Sequence, residues 1–235
     1  MPNTFTFGGL ISSTYKAYIS GSGTYDSPER DYTIETIPGR NGDLVLDNHR
    51  FLNIDVKYPA FICKSFQSNL ESLRSALSAK IGYQKLSDTY HPGEYRLGMF
   101  TKGITVKPTK NLFAGEFDIT FNCKPQRFLD TGDQKTTFTA DGSISNPTLF
   151  ESKPIITVTG YGTLTIGSQT ITIENQFASV TIDSDLGDCY SGSDNANLYV
   201  SFGNSKLPVL TPGTNNITIT GSITKVEITP RWFVL

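Results

Sequence analysis

The sequence predicts a mainly β chain with one α-helix, its first half an α+β arrangement and its second half an antiparallel β-sandwich. Three observations lead there. One helical stripe of apolar residues lies between Phe66 and Lys80, alternating segments bounded by Gly, Pro, Asn and Asp fill the second half, and charge divides unevenly between the halves. Residues 1–130 hold 15 Lys and Arg against 13 Asp and Glu, while residues 131–235 hold 5 against 9. Asp130-Thr-Gly-Asp133 is polar and turn-forming, so a boundary is expected there, giving domains 1–130 and 131–235.

In the first half, Phe66, Leu70, Leu73 and Leu77 recur at helical spacing with Ala76 and Ala79 beside them, which predicts a helix over Phe66 to Lys80. Ser65 is its expected N-cap, Ser68-Asn-Leu-Glu71 offers an alternative capping box, and Gly82 stands where a stop belongs. The stripe is narrow, so the helix should pack on a sheet. Strands are expected at Tyr15 to Ile19, Tyr32 to Ile37, Phe51 to Tyr58, Tyr83 to Leu86, Tyr95 to Phe100, Ile104 to Lys107 and Gly115 to Cys123.

The second half is the more regular. Thr163-Leu-Thr-Ile-Gly-Ser-Gln-Thr-Ile-Thr172 alternates strictly and places Gly167-Ser168 as a two-residue hairpin turn. Ile166 then stands opposite Gln169, Leu164 opposite Ile171, Thr163 opposite Thr172 and Thr165 opposite Thr170, with the leucine and isoleucine on the core face. Further strands are expected at Ile155 to Thr159, Ala178 to Ile182, Leu198 to Phe202, Asn216 to Thr220 and Ile223 to Ile228.

The composition, 37% hydrophobic and 18% charged over 235 residues, supports one or two ordinary cores. No run of about 20 apolar residues occurs and the first ten residues lack the pattern of a secretory signal, so no membrane insertion is expected and a cytosolic setting fits best. A net charge of -2 lacks the basic excess that neutralising many phosphates requires, so no sequence-specific nucleic-acid binding is expected. Cys63, Cys123 and Cys189 are widely spaced without a C-x-x-C, which predicts small buried hydrophobes rather than a disulfide scaffold or a zinc site.

Catalytic patterns are missing. The two histidines, His49 and His91, sit in turn-like contexts with no G-x-S-x-G, P-loop or H-E-x-x-H, and read as turn or interface residues. Asp183-Ser-Asp-Leu-Gly-Asp188 offers oxygens at alternate positions but fails the calcium-loop pattern, since its glycine is one place early and no bidentate Glu follows, so it reads as a strand connection. No catalytic residue, metal or cofactor is therefore expected. Pro38-Gly39 and Asn41-Gly42 are back-to-back turn dipeptides, and they hold Arg40 out on a backbone able to approach another surface closely. Pro38, Gly39, Arg40, Asn41, Gly42 and Asp43 are accordingly the candidate subunit-interface residues.

Six segments in order resemble the distal tail proteins of long non-contractile-tailed bacteriophages. They are Ile37 to Asp43, Tyr83 to Leu97, Gly115 to Pro125, Phe150 to Pro154, Leu207 to Asn215 and Ile228-Thr-Pro-Arg-Trp232, spread over nearly the whole chain. The resemblance implies a non-enzymatic structural virion protein of the tail tip or baseplate, assembled in the bacterial host cytoplasm and serving host attachment. It implies an N-terminal β-sandwich with a helix and a β-hairpin whose copies close into a hexameric ring, and a C-terminal galectin-like β-sandwich that projects outward. The partners it implies are the tail tube protein, the tail-associated lysin or tail fibre hub, the tape measure protein and, in many phages, receptor-binding proteins attached laterally. A carbohydrate-binding, lectin-like adhesion module is the alternative reading. Stacking on a sugar needs an exposed aromatic, however, and the single tryptophan, Trp232, reads as core or domain-junction packing.

Overall fold

The computed structural model describes residues 2–21, 23, 25–108 and 113–235, of Pro108 the backbone only. The chain divides into two compact units, one of residues 1–127 with Leu235 and one of residues 128–234.

The first unit contains strands β1 (Phe5–Phe7), β2 (Leu10–Ile11), β3 (Ala17–Ile19), β4 (Arg30–Glu35), β5 (Leu44–Phe51) and β6 (Ile54–Ile62), then helix α1 (Phe66–Ser78). Strands β7 (Gln84–Asp88), β8 (Glu94–Met99), β9 (Thr105–Pro108) and β10 (Gly115–Leu129) follow. A curled sheet runs in the order β2-β1-β7-β8-β10-β6-β3, with β9 also on β10. Its spine is the antiparallel β6–β10 ladder, in register from Gly115 opposite Ile62 to Cys123 opposite Ile54. Because side chains alternate across a strand, Phe117, Ile119, Phe121 and Cys123 face one way with Ala60, Tyr58 and Val56, and all of them are buried in one core.

Helix α1 supplies the other wall of that core with Phe66, Leu70, Leu73 and Leu77, the predicted stripe. A Cβ on Gly115 would lie 2.6 Å from the Phe66 ring, so the missing side chain is what lets the first helical residue close on the sheet. The helix start differs from expectation. Ser65 takes the N-cap position in the left-handed region (φ 50) and makes no side-chain cap bond. The Asn69 amide donates to the Lys64 carbonyl and the Ser68 hydroxyl to the Ser65 carbonyl, while the Phe66 N–H donates to the Phe113 carbonyl at 3.3 Å. The expected strand from Phe51 to Tyr58 is two strands, broken at Leu52-Asn53. Of the cysteines, Cys123 and Cys189 are buried and Cys63 is exposed, contrary to its expected burial.

The second unit contains β11 (Thr136–Phe138), β12 (Gly142–Asn146), β13 (Ile155–Thr159), β14 (Gly162–Ile166), β15 (Gln169–Ile173) and β16 (Ser179–Asp183). They are followed by β17 (Asp188–Ser191), β18 (Asp194–Asn195), β19 (Val200–Phe202), β20 (Gly213–Gly221) and β21 (Lys225–Thr229). Two sheets form, β11-β21-β13-β16-β17-β18 and β12-β20-β14-β15-β19, and their inward residues make one core. The β14–β15 hairpin has the predicted register at every pair, with Gly167 at φ 57 in its turn. Leu164, Ile166 and Ile171 are buried, while Thr170 and Thr172 face solvent.

Trp232 belongs to this core. Asp130-Thr-Gly-Asp133 is not an open junction: it folds as a 3-10 turn with Gly132 buried. The Arg231 N–H donates to the Gly132 carbonyl at 2.8 Å, and a Cβ on Gly132 would lie 2.4 Å from the Trp232 backbone nitrogen.

Candidate assembly surface

Among the described residues, strands β4 and β5 pair only with each other, in a two-stranded sheet separate from the curled sheet. Their segments are rich in β-branched and aromatic residues, and the intervening Pro-Gly-Arg-Asn-Gly provides the reversal. All six predicted interface residues, Pro38, Gly39, Arg40, Asn41, Gly42 and Asp43, lie at this hairpin's tip. Gly39 (φ 82) and Gly42 (φ 81) hold the positive angles that the two turns demand. The Arg40 N–H donates to the Ile37 carbonyl at 3.1 Å, and the Thr36 hydroxyl donates to Asp43 Oδ1 at 2.9 Å, tying the two sides together. The Arg40 guanidinium itself is exposed and has no partner among the described residues.

Charge pairs brace the hairpin stem. Arg30 donates to Asp47 Oδ2 through Nε at 3.0 Å and Nη2 at 2.5 Å, and Arg50 Nε donates to Asp31 Oδ2 at 2.6 Å. The Asn48 amide reaches both Asp31 and Thr33. The Arg50 guanidinium and the Asn48 amide hold the Asp31 carboxyl below its ordinary range, and Arg30 with the His49 N–H does the same for Asp47. His49 sits at φ 54 within β5, beside an irregularity in the β4–β5 register, and is thus a strand residue and not the loop residue expected.

What the stem lacks is a core. Tyr32, Ile34, Ile37, Val45, Leu46 and Leu52 are between 38% and 62% exposed. The register puts Tyr32, Ile34 and Val45 on one face and Leu46 on the other, so apolar surface is bare on both sides, and both outer strand edges are unpaired among the described residues. An isolated two-stranded hairpin is marginal in water.

Other polar clusters tie loops to strands. Asp88 gathers four donors: Tyr58 Oη at 2.6 Å, the Tyr90 and His91 N–H groups at 2.8 and 2.9 Å, and His91 Nδ1 at 3.0 Å. Burial, and next the Asp88 charge, lift the Tyr58 phenol well above its usual range, so it stays a neutral donor. Burial pushes the Cys123 thiol up to about 12 and the Cys189 thiol up to about 11, which makes both inert. Among the described residues no three His, Cys, Asp or Glu side chains gather as a metal site.

The acidic loop after β16 is organised by a cation of the protein itself. Arg231 grips Asp183 with both nitrogens, Nη1 to Oδ1 at 2.7 Å and Nη2 to Oδ2 at 2.9 Å, while the Asp185 and Leu186 N–H groups donate to Oδ1 at 3.0 and 3.1 Å. Burial raises the Asp183 carboxyl, but Arg231 and the two amides outweigh it and leave it below the ordinary range. Sequence reasoning tested this loop for calcium and missed the arginine, which lies 48 positions away.

No protein-family model matches the chain, and no curated protein matches it. Its fold, however, is that of solved phage structures. The Dit protein of SPP1 (gp 19.1), described as a paradigm of the hub adsorption apparatus in phages infecting Gram-positive bacteria, superposes with a TM-score of 0.70 at 13% identity over 100% of both chains. A chain of the phage P2 baseplate, in its activated conformation with Ca, superposes with a TM-score of 0.52 at 9% identity, covering 97% of this chain and 98% of that one.

Proposed function

We propose that this chain is a structural component of a phage tail tip, closing into a hexameric ring at the distal end of a long non-contractile tail and linking the tail tube to the baseplate and receptor-binding apparatus. The observation that carries the reading is the β4–β5 hairpin, with apolar residues bare on both faces and a free Arg40 at its tip. The full-length fold likeness to a hub protein and a baseplate chain supports the same reading. A ring of identical subunits needs a heterologous contact, in which a projecting element of one copy meets a different patch on the next. A hairpin that leaves its own unit's sheet is such an element, and Arg40 can grip a carboxylate across the contact with two nitrogens.

In this reading the N-terminal domain, residues 1–130, forms the ring and the C-terminal domain, residues 131–235, is the galectin-like module facing outward. The partners are further copies of the chain, the tail tube protein, the tail-associated lysin or tail fibre hub, the tape measure protein and laterally attached receptor-binding proteins. The protein acts by scaffolding and is not an enzyme, and it is assembled into the virion in the bacterial host cytoplasm. The lectin alternative loses its best stacking residue, because Trp232 is only 5% exposed.

Light scattering with circular dichroism tests this. Wild-type protein is expected at the mass of a hexamer, and Arg40→Asp or the pair Ile34→Ser and Val45→Ser at the 25.8 kDa of one chain with an unchanged spectrum. Variants that assemble as wild type remove the hairpin from the interface.

A further inference from the structure

We propose that Asn41 is a site of spontaneous modification, its side-chain amide converting through a succinimide to aspartate or isoaspartate, and that the change disables the hairpin tip for assembly. Asn41-Gly42 is the chain's single Asn-Gly pair. Both residues are exposed, and neither the Asn41 side chain nor the Gly42 N–H has a hydrogen-bond partner among the described residues. Gly42 takes φ 81, an angle that residues with side chains resist, and a Cβ built on it would meet nothing within 4 Å. The backbone nitrogen that must attack is therefore unbonded and lies in open space.

The step needs only water. The Gly42 backbone nitrogen gives up its proton and attacks the carbonyl carbon of the Asn41 side chain. The new N–C bond closes the succinimide as the bond to the side-chain amide nitrogen breaks, and that nitrogen leaves with a proton as ammonia. Water then adds to one of the two imide carbonyls. Opening at the side-chain carbonyl gives aspartate, and opening at the main-chain carbonyl gives isoaspartate, in which the backbone runs through the former side chain. Nothing is oxidised or reduced.

Two other exposed asparagines show the restraint that Asn41 lacks. After Asn204, the Ser205 N–H donates to the Phe202 carbonyl at 3.0 Å, and Asn204 Oδ1 accepts from the Lys206 N–H at 3.2 Å. After Asn195, the Ala196 N–H donates to the Cys189 carbonyl at 2.8 Å, and Asn195 Oδ1 accepts from the Asn197 N–H at 3.0 Å. In both, the attacking nitrogen and the amide under attack are each held in a hydrogen bond, and a side chain on the following residue crowds the approach. The consequence for assembly rests on the reading of the hairpin as the ring contact. A carboxylate beside Arg40 is set against the carboxylate that Arg40 would grip on the neighbouring copy, and isoaspartate also lengthens the backbone of the tip.

Peptide mapping by mass spectrometry of protein aged in mildly alkaline buffer tests the chemistry. Asn41 is expected to gain the mass of an amide exchanged for an acid, with isoaspartate among the products, at least about tenfold faster than Asn195 or Asn204. Light scattering with circular dichroism tests the consequence. Asn41→Asp should need at least about tenfold more protein than wild type to assemble, with an unchanged spectrum, and in aged wild type the modified chains should collect in the unassembled fraction. Asn41 ageing no faster than Asn195 and Asn204 would overturn the proposal while leaving the ring reading intact. Asn41→Asp that assembles as wild type, or that loses the wild-type spectrum, would overturn the claim that the modification acts on assembly. Wild type that stays a single chain at every concentration would overturn that claim and the ring reading together, and the peptide map would still decide the chemistry.

Discussion

Replacing Asp183 tests whether a charge clasp organises the second unit. Its carboxylate is 4% exposed and serves four hydrogen bonds, two from Arg231 and one each from the Asp185 and Leu186 amides. Asp183→Ala would strand the guanidinium and both amides, and removing one partner of a buried pair costs about 3 to 5 kcal/mol. Asp183→Asn keeps an oxygen for the two amides but loses the charge-assisted arginine bonds, at a cost of about 1.5 to 3 kcal/mol. Trp232 lies in this unit's core and is the chain's single tryptophan, so its fluorescence in a urea titration reads this unit alone. The pH dependence has a definite sign. The carboxyl is more acidic folded than unfolded, so its stabilisation is fully present above the unfolded value of about 3.9 and is lost as pH falls through the lower folded value. Wild type should therefore lose stability over that acid window and Asp183→Asn should lose less. An Asn variant within about 0.5 kcal/mol of wild type, the scatter of ordinary surface changes, and with the same acid profile, would refute the clasp.

Leu164→Ala and Ile171→Ala, both fully buried in the second core, should each cost about 2 to 5 kcal/mol in the same titration, against less than about 1 for Thr165→Ala on the outer face. Equal losses at Leu164 and Thr165 would contradict the face assignment. Gly115→Ala drives a methyl into the Phe66 ring and should cost about 1 to 3 kcal/mol, recovered in part by Phe66→Leu, as followed by far-ultraviolet circular dichroism. Limited proteolysis of dilute protein should cut first at the exposed hairpin tip, residues 38–43, and spare the packed turn at 130–133. Mass spectrometry of the first fragments would show the reverse if the hairpin tip were protected.

Legibility in the sequence followed locality. The β14–β15 register could be read residue by residue because strict alternation and a two-residue turn act within ten positions, and the α1 stripe because its four apolar residues recur every three or four positions. Ser65 does hold the N-cap position, but its left-handed backbone carries no side-chain cap bond and the Phe66 N–H finds the distant Phe113 carbonyl instead, a partner that no local pattern encodes. At the candidate site, the paired turn dipeptides marked 38–43 as a tip, yet the bareness of Ile34 and Val45 was invisible: an alternating strand looks the same whether a sheet covers it or nothing does. The Asp183–Arg231 pair depends on segments brought together only by the folded sheet, beyond any local pattern.

Imaging the purified wild-type protein by negative stain tests the central claim most directly. Six-fold rings, lost in Arg40→Asp protein that remains folded, are the predicted result. A uniform field of single chains at concentrations where light scattering also finds only monomers would contradict self-assembly through the hairpin.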